Sequence, residues 1–153
     1  MGANASRVQN TPDYDPSVVL RSAADAAEAT TVIEASVSLK ELRTAWWHNY
    51  EIPHGKIVID VEVTELDVAG TNAYALDLVV DDVSAMNNTP VMIASIPIPV
   101  AGVYTIVVDT AKIPTWDTDH GGLDKFMAIR ATMSGDSTPS IRYGARISKS
   151  LGA

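Results

Sequence analysis

Apolar and polar residues alternate along much of the chain, and this period of two constrains the fold more than any other feature of the sequence. In residues 57–63 the odd-numbered positions are Ile or Val, and the even-numbered positions include Asp60 and Glu62. The same alternation recurs in 74–80 and, most regularly, in 140–148. It is typical of a β-strand that has one face in the core and the other in solvent.

Eight short strands are predicted at spacings of roughly 10 to 15 residues, with no helical pattern of comparable strength. They are Thr30–Ile33, a segment near Trp46, Ile57–Val63, Tyr74–Val80, Val91–Ile96, Gly102–Asp109, Lys125–Met133 and Ser140–Ser148. Parallel strands would need crossover helices of about a dozen residues, for which the sequence has no candidate. We therefore predict an all-β fold, an antiparallel β-sandwich that is jelly-roll-like.

Three finer predictions concern how the strands are connected. Asp67–Asn72 contains turn residues and predicts a hairpin between 57–63 and 74–80. Gly102–Asp109 is almost wholly apolar, which favours a central strand of a sheet. Ser134–Pro139 predicts a tight polar turn between the last two strands.

The chain of 153 residues is long enough for one domain, preceded by a less globular N-terminal stretch. Asn10–Pro16 holds two prolines and predicts turns and extended chain. Ser22–Ala29 is rich in alanine and could form a short helical turn. We divide the chain into an extended arm, residues 1–28, and a β-sandwich domain, residues 29–153.

Composition excludes several classes of protein. Cysteine is absent, which removes disulfide scaffolds, thiol nucleophiles and the usual structural zinc sites. The net charge of −8 is unfavourable for binding nucleic acid, because clustered Lys and Arg supply most of that affinity. No apolar run approaches the roughly 20 residues of a membrane-spanning helix. We expect neither nucleic acid nor a membrane as a partner.

Charge is distributed unevenly along the chain. Residues 51–109 contain nine acidic residues and one basic residue, whereas residues 125–153 contain five basic residues and one acidic residue. One explanation is that oppositely charged strands lie side by side within the fold. The alternative is that oppositely charged patches on two subunits attract each other.

Two polar clusters resemble metal sites, but both lack features of such sites. His48, Glu51 and His54 could supply two imidazoles and a carboxylate, yet they lie in a predicted turn and not on rigid strands. Asp117–Asp124 has oxygen ligands at alternate positions followed by glycine, as calcium loops do, but it lacks the third alternate oxygen, and Ala128 stands where the closing Glu would be. Common nucleophile, phosphate-binding and zinc-protease motifs are missing. We predict no catalytic residue, no cofactor and no bound metal ion, so the chain is not expected to be an enzyme.

Aromatic residues are the best candidates for contact with a partner. Trp46 and Trp47 are adjacent, so on a strand their rings point to opposite faces and one is exposed unless a loop covers it. Exposed Trp and Tyr are favoured at protein interfaces and in sugar-binding clefts. The predicted partner-contact residues are Tyr14, Trp46, Trp47, Tyr50, Trp116, Arg142 and Arg146.

Several segments resemble the capsid cement, or decoration, proteins of tailed bacteriophages. They are ATTVIEAS at 29–36, residues 55–63, residues 76–86 with VDDVS, PVAGVYTI at 99–106, and residues 126–147 from FMAIRAT to IRYGARI. The last segment is most similar to the family, with a strand, a turn of small residues and a closing strand.

This resemblance implies a jelly-roll-like module that forms homo-oligomers, dimers or trimers, on the outer surface of the phage head. There it would contact the major capsid protein, bridge neighbouring subunits and resist the pressure of packaged DNA. A carbohydrate-binding β-sandwich that uses the tryptophans is the alternative function.

Overall fold

Nine strands form in the part of the chain that the computed structural model describes, residues 19–39, 56–113 and 125–151. They are β1 (Val19–Arg21), β2 (Val32–Ile33), β3 (Val37–Ser38), β4 (Lys56–Leu66), β5 (Ala73–Asp81), β6 (Val91–Pro97), β7 (Gly102–Asp109), β8 (Phe126–Ser134) and β9 (Ile141–Leu151). A short 3₁₀ helix, Thr110–Lys112, follows β7. The all-β prediction is confirmed.

The strands form two antiparallel sheets packed face to face. The first sheet has the order β1-β9-β4-β7 and the second has the order β2-β8-β5-β6. β3 also pairs with β8, so that β2 contacts Arg130 and Ala131 while β3 contacts Phe126 and Met127 of the same strand. β2 and β3 are thus two parts of one interrupted edge strand, so the nine strands occupy eight positions in the two sheets.

The order of the strands is that of a jelly roll. When β2 and β3 are counted as one, every connection between consecutive strands passes from one sheet to the other, except the connection between β5 and β6. Strands near the two ends of the chain are therefore neighbours, as β1 is beside β9. The sandwich and its jelly-roll character agree with the sequence prediction.

The core lies between the sheets and consists of the apolar residues that alternate along each strand. The buried residues include Ile57, Ile59, Val61 and Val63 of β4, Leu76, Leu78 and Val80 of β5, Met127, Ile129 and Ala131 of β8, and Ile141, Tyr143, Ala145 and Ile147 of β9. Because the side chains of a strand alternate between its faces, the period of two in the sequence identified these core positions correctly.

The predicted hairpin between β4 and β5 is wrong, because the two strands lie in different sheets. Their connection is a corner that packs against the corner joining β8 to β9. The amide of Asp67 donates to the carbonyl of Ser140 at 3.0 Å, and the hydroxyl of Thr71 donates to the carboxylate of Asp136 at 2.8 Å. Turn residues allow a hairpin or a corner equally, and these contacts over some 65 residues of sequence decide between them.

The predicted central position of β7 is also wrong. Among the described residues β7 pairs with β4 alone and forms an edge of the first sheet. Ile106 and Val108 point into the core, but Val103 and Val107 are 76% and 48% exposed. An apolar run indicates burial on both faces only if neighbouring strands and layers cover it, and here they do not.

The described part of the predicted arm lies against the sandwich. β1 pairs with β9, and Glu28 exchanges backbone hydrogen bonds with Ile141 at 2.8 and 3.0 Å. Residues 22–25 form a turn, closed by the amide of Asp25 on the carbonyl of Ser22, where a short helical turn was expected. Residues 1–18 lie outside the described part of the chain.

Candidate interaction surface

The outer face of the first sheet carries an open groove of about 570 Å³. Its floor is formed by the outward side chains of β4 and β9, and its walls by β7 and by the chain around β1. The residues that define it are Val19, Ala23, Asp60, Glu62, Val103 and Arg146.

Charged and apolar side chains are arranged in rows across this groove. Asp60 on β4 lies between Thr105 on β7 and Arg146 on β9. Glu62 lies in the next row, between Val103 and Gly144. The groove therefore presents two carboxylates and one guanidinium beside an exposed valine, a mixture suited to binding a polar protein surface.

Buried Arg21 anchors the wall that the N-terminal chain forms. Its guanidinium donates to the backbone carbonyls of Tyr143 and Ala26. It lies 3.4 Å from a carboxylate oxygen of Glu28 and 3.3 Å from one of Glu34, with its central carbon 4.5 Å above the centre of the Tyr143 ring. A buried charge needs such partners, because an unpaired one is strongly destabilising.

Two carboxylates share this cation, and their surroundings shift the pKa of Glu34. Burial raises the pKa of the Glu34 carboxyl above its ordinary value, and the charge of Glu28 raises it further, while Arg21 opposes both. The hydroxyl of Tyr143 donates to Glu34 at 3.3 Å. Burial, reinforced by the charge of Glu34, raises the pKa of the Tyr143 phenol well above its usual range. The cluster links β1 and β9 to the chain on both sides of β2.

Gly144 allows the N-terminal chain to lie directly on β9. A Cβ atom at this position would be 2.8 Å from the Cβ of Ala23 and 3.1 Å from its Cα. Contacts below 3.0 Å do not occur in native packing, so any side chain here would push the chain at Ala23 outward. The shape of the groove thus depends on the absence of a side chain at residue 144.

The outer face of the second sheet is partly covered by residues 82–90, which connect β5 to β6. Met86 is buried against Val79 and Ala128 in a left-handed backbone conformation, with φ of 57°. Asp81 holds the same loop, since its carboxylate accepts the amide of Asn88 at 2.8 Å.

A second buried carboxylate of this face, Asp77, is also fully engaged. It accepts hydroxyl groups of Ser95 and Thr132, both at 2.6 Å, and pairs with Arg130 at 3.0 Å. The outer face of the first sheet is therefore the more open of the two for a partner.

Two of the predicted partner-contact residues lie in the described part of the chain. Arg142 donates to Glu65 at 3.1 Å and to the carbonyl of Asp25 at 3.1 Å, so it helps to hold the N-terminal chain. Arg146 is exposed in the groove. Outside the described residues are Tyr14, Trp46, Trp47, Tyr50 and Trp116, and also His48, Glu51, His54 and Asp117–Asp124.

Contacts within the fold account for the uneven charge of the sequence. Lys125 pairs with Asp82, Arg130 with Asp77 and Arg142 with Glu65. Arg146 lies opposite Asp60 in the register of β9 and β4. Four basic residues of the C-terminal segment thus face acidic residues of 51–109, as expected if oppositely charged strands lie side by side.

Within residues 19–39, 56–113 and 125–151, no group of three or more His, Asp or Glu side chains is placed to hold a metal ion. In that same part of the chain no helix has the length and apolar character needed to cross a membrane.

Most of the groove cannot be identified from the sequence. The alternation in β4 correctly placed Asp60 and Glu62 on an outward face, but it gave no reason to prefer that face over any other. Gly144 stands between Arg142 and Arg146 in the most regular strand, and a glycine within a strand is a recognised signal of close backbone approach.

Comparison with known proteins adds no relative. A scan against protein-family models, a search of curated proteins and a search of solved structures each found no match.

Proposed function

We propose that this chain is a structural protein of a virion, a cement protein that binds the outer surface of a phage head. In this role it bridges neighbouring major capsid subunits and stabilises the shell, and it catalyses no reaction. The resemblance of residues 29–148 to phage decoration proteins is the starting point. The jelly-roll strand order agrees with it, since viral capsid domains commonly use this fold, as lectins also do.

The observation that carries the proposal is the open groove on the first sheet and its position relative to the N-terminal chain. Val19, where the described chain begins, lines the groove together with Asp60, Glu62 and Arg146. An arm that precedes Val19 therefore starts at the same surface as the groove. Arm and groove can then contact adjacent capsid subunits from one side of the molecule.

Charge and copy number support the same role. A net charge of −8 is acceptable on the outside of a shell, where the chain does not approach packaged DNA. Many identical copies on one particle bind with avidity, so each groove needs only modest affinity.

Quantitative mass spectrometry of purified particles from the source lysate tests the proposal. We expect a copy number comparable to that of the major capsid protein. Absence from particles would refute the proposal. A change of tryptophan fluorescence on adding oligosaccharide would then favour the carbohydrate-binding alternative.

Charge reversal tests whether the groove faces the shell. Arg146→Glu should lower occupancy on heads that lack the protein, whereas Lys112→Glu, an exposed base on the 3₁₀ helix, should leave occupancy unchanged. Thermal unfolding of both variants shows whether they remain folded. Equal occupancy of the two variants would place the contact elsewhere.

A further inference from the structure

Within the described residues, β7 is a long edge strand without the features that usually protect such a strand. It pairs with β4 over eight consecutive residues, from Gly102 to Asp109, without a register shift. It contains no Lys, Arg or Pro, and its one charged residue, Asp109, is at the end. Natural edge strands are usually short, bulged, charged or interrupted by proline, because an open edge pairs with other chains.

The strands at the opposite side of the sandwich are short, which protects that edge from pairing with other chains. β1 has three residues, and β2 and β3 have two each. β1 also has an irregular register with β9. Among the described strands, β7 is therefore the open edge. Its neighbour β6 carries no charge, but it ends at Pro97 and has an irregular register with β5.

Apart from Asp109 at its end, β7 exposes only apolar or uncharged side chains. Val103 is 76% exposed and Val107 is 48% exposed, with exposed Thr105 between them on the outer face. On β6, Val91 and Met92 are 47% and 53% exposed. Several exposed apolar residues along one unpaired edge are typical of an interface.

We propose that β7 pairs antiparallel with β7 of a second copy of this chain, across a two-fold axis at Thr105. The two four-stranded sheets would then form one continuous sheet of eight strands. The contact is isologous, with the same patch used by both copies, as in most dimers.

The side chains select this register. The outer faces of both sheets lie on the same side only if odd-numbered residues pair with odd-numbered residues and even with even. The two-fold axis must then pass through a residue and not between two residues. Near the centre of the strand this residue is Thr105 or Ile106. With the axis at Thr105, Val103 of one copy meets Val107 of the other, and Asp109 falls opposite Ala101, outside the strand. With the axis at Ile106, Val103 would lie opposite Asp109, and Val103 and Val107 would no longer pair with each other.

The acidic groove does not oppose this pairing. In the row of Thr105, the Asp60 residues of the two copies are three strand spacings apart, about 14 Å. That distance exceeds the Debye length of about 8 Å at physiological ionic strength, so repulsion between them is largely screened. The strand that makes the contact carries no charge at the interface.

This inference does not depend on attachment to a capsid. A dimer that fails to bind heads would contradict the proposed function alone, and a monomer that binds heads would contradict this inference alone.

The test is the oligomeric state of the full chain by sedimentation equilibrium. The wild type should be a dimer. Thr105→Lys and Thr105→Glu each place like charges opposite each other across the axis, and each should raise the dimer Kd roughly tenfold or more. A mixture of the two variants should form a heterodimer, because the new charges are then opposite in sign. Val68→Lys, at an exposed valine in the corner between β4 and β5, should remain a dimer.

A second pair of variants tests the register if a variant at Thr105 fails to fold, as judged by its thermal transition. The double variant V103K/V107K sets lysine against lysine and should be monomeric, whereas V103K/V107E sets lysine against glutamate and should dimerise. A monomeric or trimeric wild type, or dimers that tolerate like charges, would overturn the inference. If V103K/V107K and V103K/V107E are both monomeric, opposite charges do not restore the dimer and the proposed register is wrong.

Discussion

At the scale of single residues, Arg21 does most to connect the N-terminal chain to the sandwich. It is a buried cation that contacts carboxylates of Glu28 and Glu34, two carbonyl oxygens and the face of Tyr143. These partners come from β9 and from residues 26–34, so one side chain joins β1 to both sheets. Its removal would leave two carboxylates facing each other without a cation.

We expect Arg21→Met to lower the free energy of unfolding by about 3 kcal/mol, because removing one partner of a buried ion pair leaves the opposite charges uncompensated. Urea denaturation followed by circular dichroism measures this. Arg142→Met is the matched control, since Arg142 and Glu65 are 38% and 61% exposed and such pairs contribute about 1 kcal/mol or less. Equal effects of the two substitutions would contradict the role assigned to Arg21.

Glu34 gives a prediction for pH dependence. Its pKa in the folded protein lies above the ordinary value of 4.5, because burial and Glu28 disfavour the charged form. The folded chain therefore keeps this proton where the unfolded chain has lost it, and the contribution of Glu34 to stability falls as pH rises from 4.5 through the folded-state pKa. The unfolding free energy of the wild type minus that of Glu34→Gln should become more negative over this range, as measured by denaturation at several pH values.

Asp136 serves as a comparison of opposite sign. Hydrogen bonds from the hydroxyl and amide of Thr71 hold the pKa of its carboxyl below the ordinary value of 3.8. Its contribution to stability is present above pH 3.8 and is lost as pH falls through the folded-state pKa. The corresponding difference for Asp136→Asn should therefore become more positive as pH rises in the acid range. The same slope for both residues would show that the pKa of Glu34 is not raised.

At the scale of elements, the contact between β9 and the turn that follows β1 shapes the groove. The turn lies on Gly144 at a distance that leaves no room for a methyl group. Arg142 bonds to the carbonyl of Asp25 from the same strand. β9 therefore provides both the close contact at Gly144 and the hydrogen bond from Arg142 that hold the groove wall in place.

Gly144→Ala should destabilise the protein by about 1 to 3 kcal/mol, the usual range for an overpacked site. Ala23→Gly removes the nearest atom, at 2.8 Å, so the double variant should recover part of that loss. A double-mutant cycle from denaturation curves gives the coupling between the two positions. Additive effects would mean that Ala23 is not what restricts residue 144.

At the scale of the whole molecule, the jelly roll makes the start of the described chain part of the domain. β1 is an edge strand of the first sheet, and residues 26–34 lead from it to the second sheet. The first sheet has one short edge at β1 and one long open edge at β7. The proposed arm contact and the proposed dimer contact therefore lie at opposite edges of the same sheet, although Val103 belongs to both the groove and the dimer contact.

Two truncations separate the arm from the fold. Deleting residues 2–18 should leave the thermal unfolding transition of the sandwich in place. Deleting residues 2–28 removes β1 and Arg21, and should destabilise the protein by at least about 3 kcal/mol. Circular dichroism during heating measures both. An unchanged transition after the longer deletion would show that β1 is dispensable.

Fold class and the core faces of the long alternating strands follow from local patterns in the sequence. Alternation in 57–63, 74–80 and 141–147 is a local property, and the residues that it assigned to the core are buried. Composition likewise follows from the sequence alone, including the absence of cysteine and the opposite charges of two segments.

Which strands are neighbours depends on tertiary contacts. The corner at Asp67–Asn72, the edge position of β7 and the burial of Arg21 all depend on contacts between residues far apart in the sequence. Arg21 and Tyr143 are separated by 122 positions, and nothing near Arg21 marks it as buried. Local patterns report which face of a strand is apolar, whereas its partners are chosen by the packing of the whole chain, which no local pattern contains.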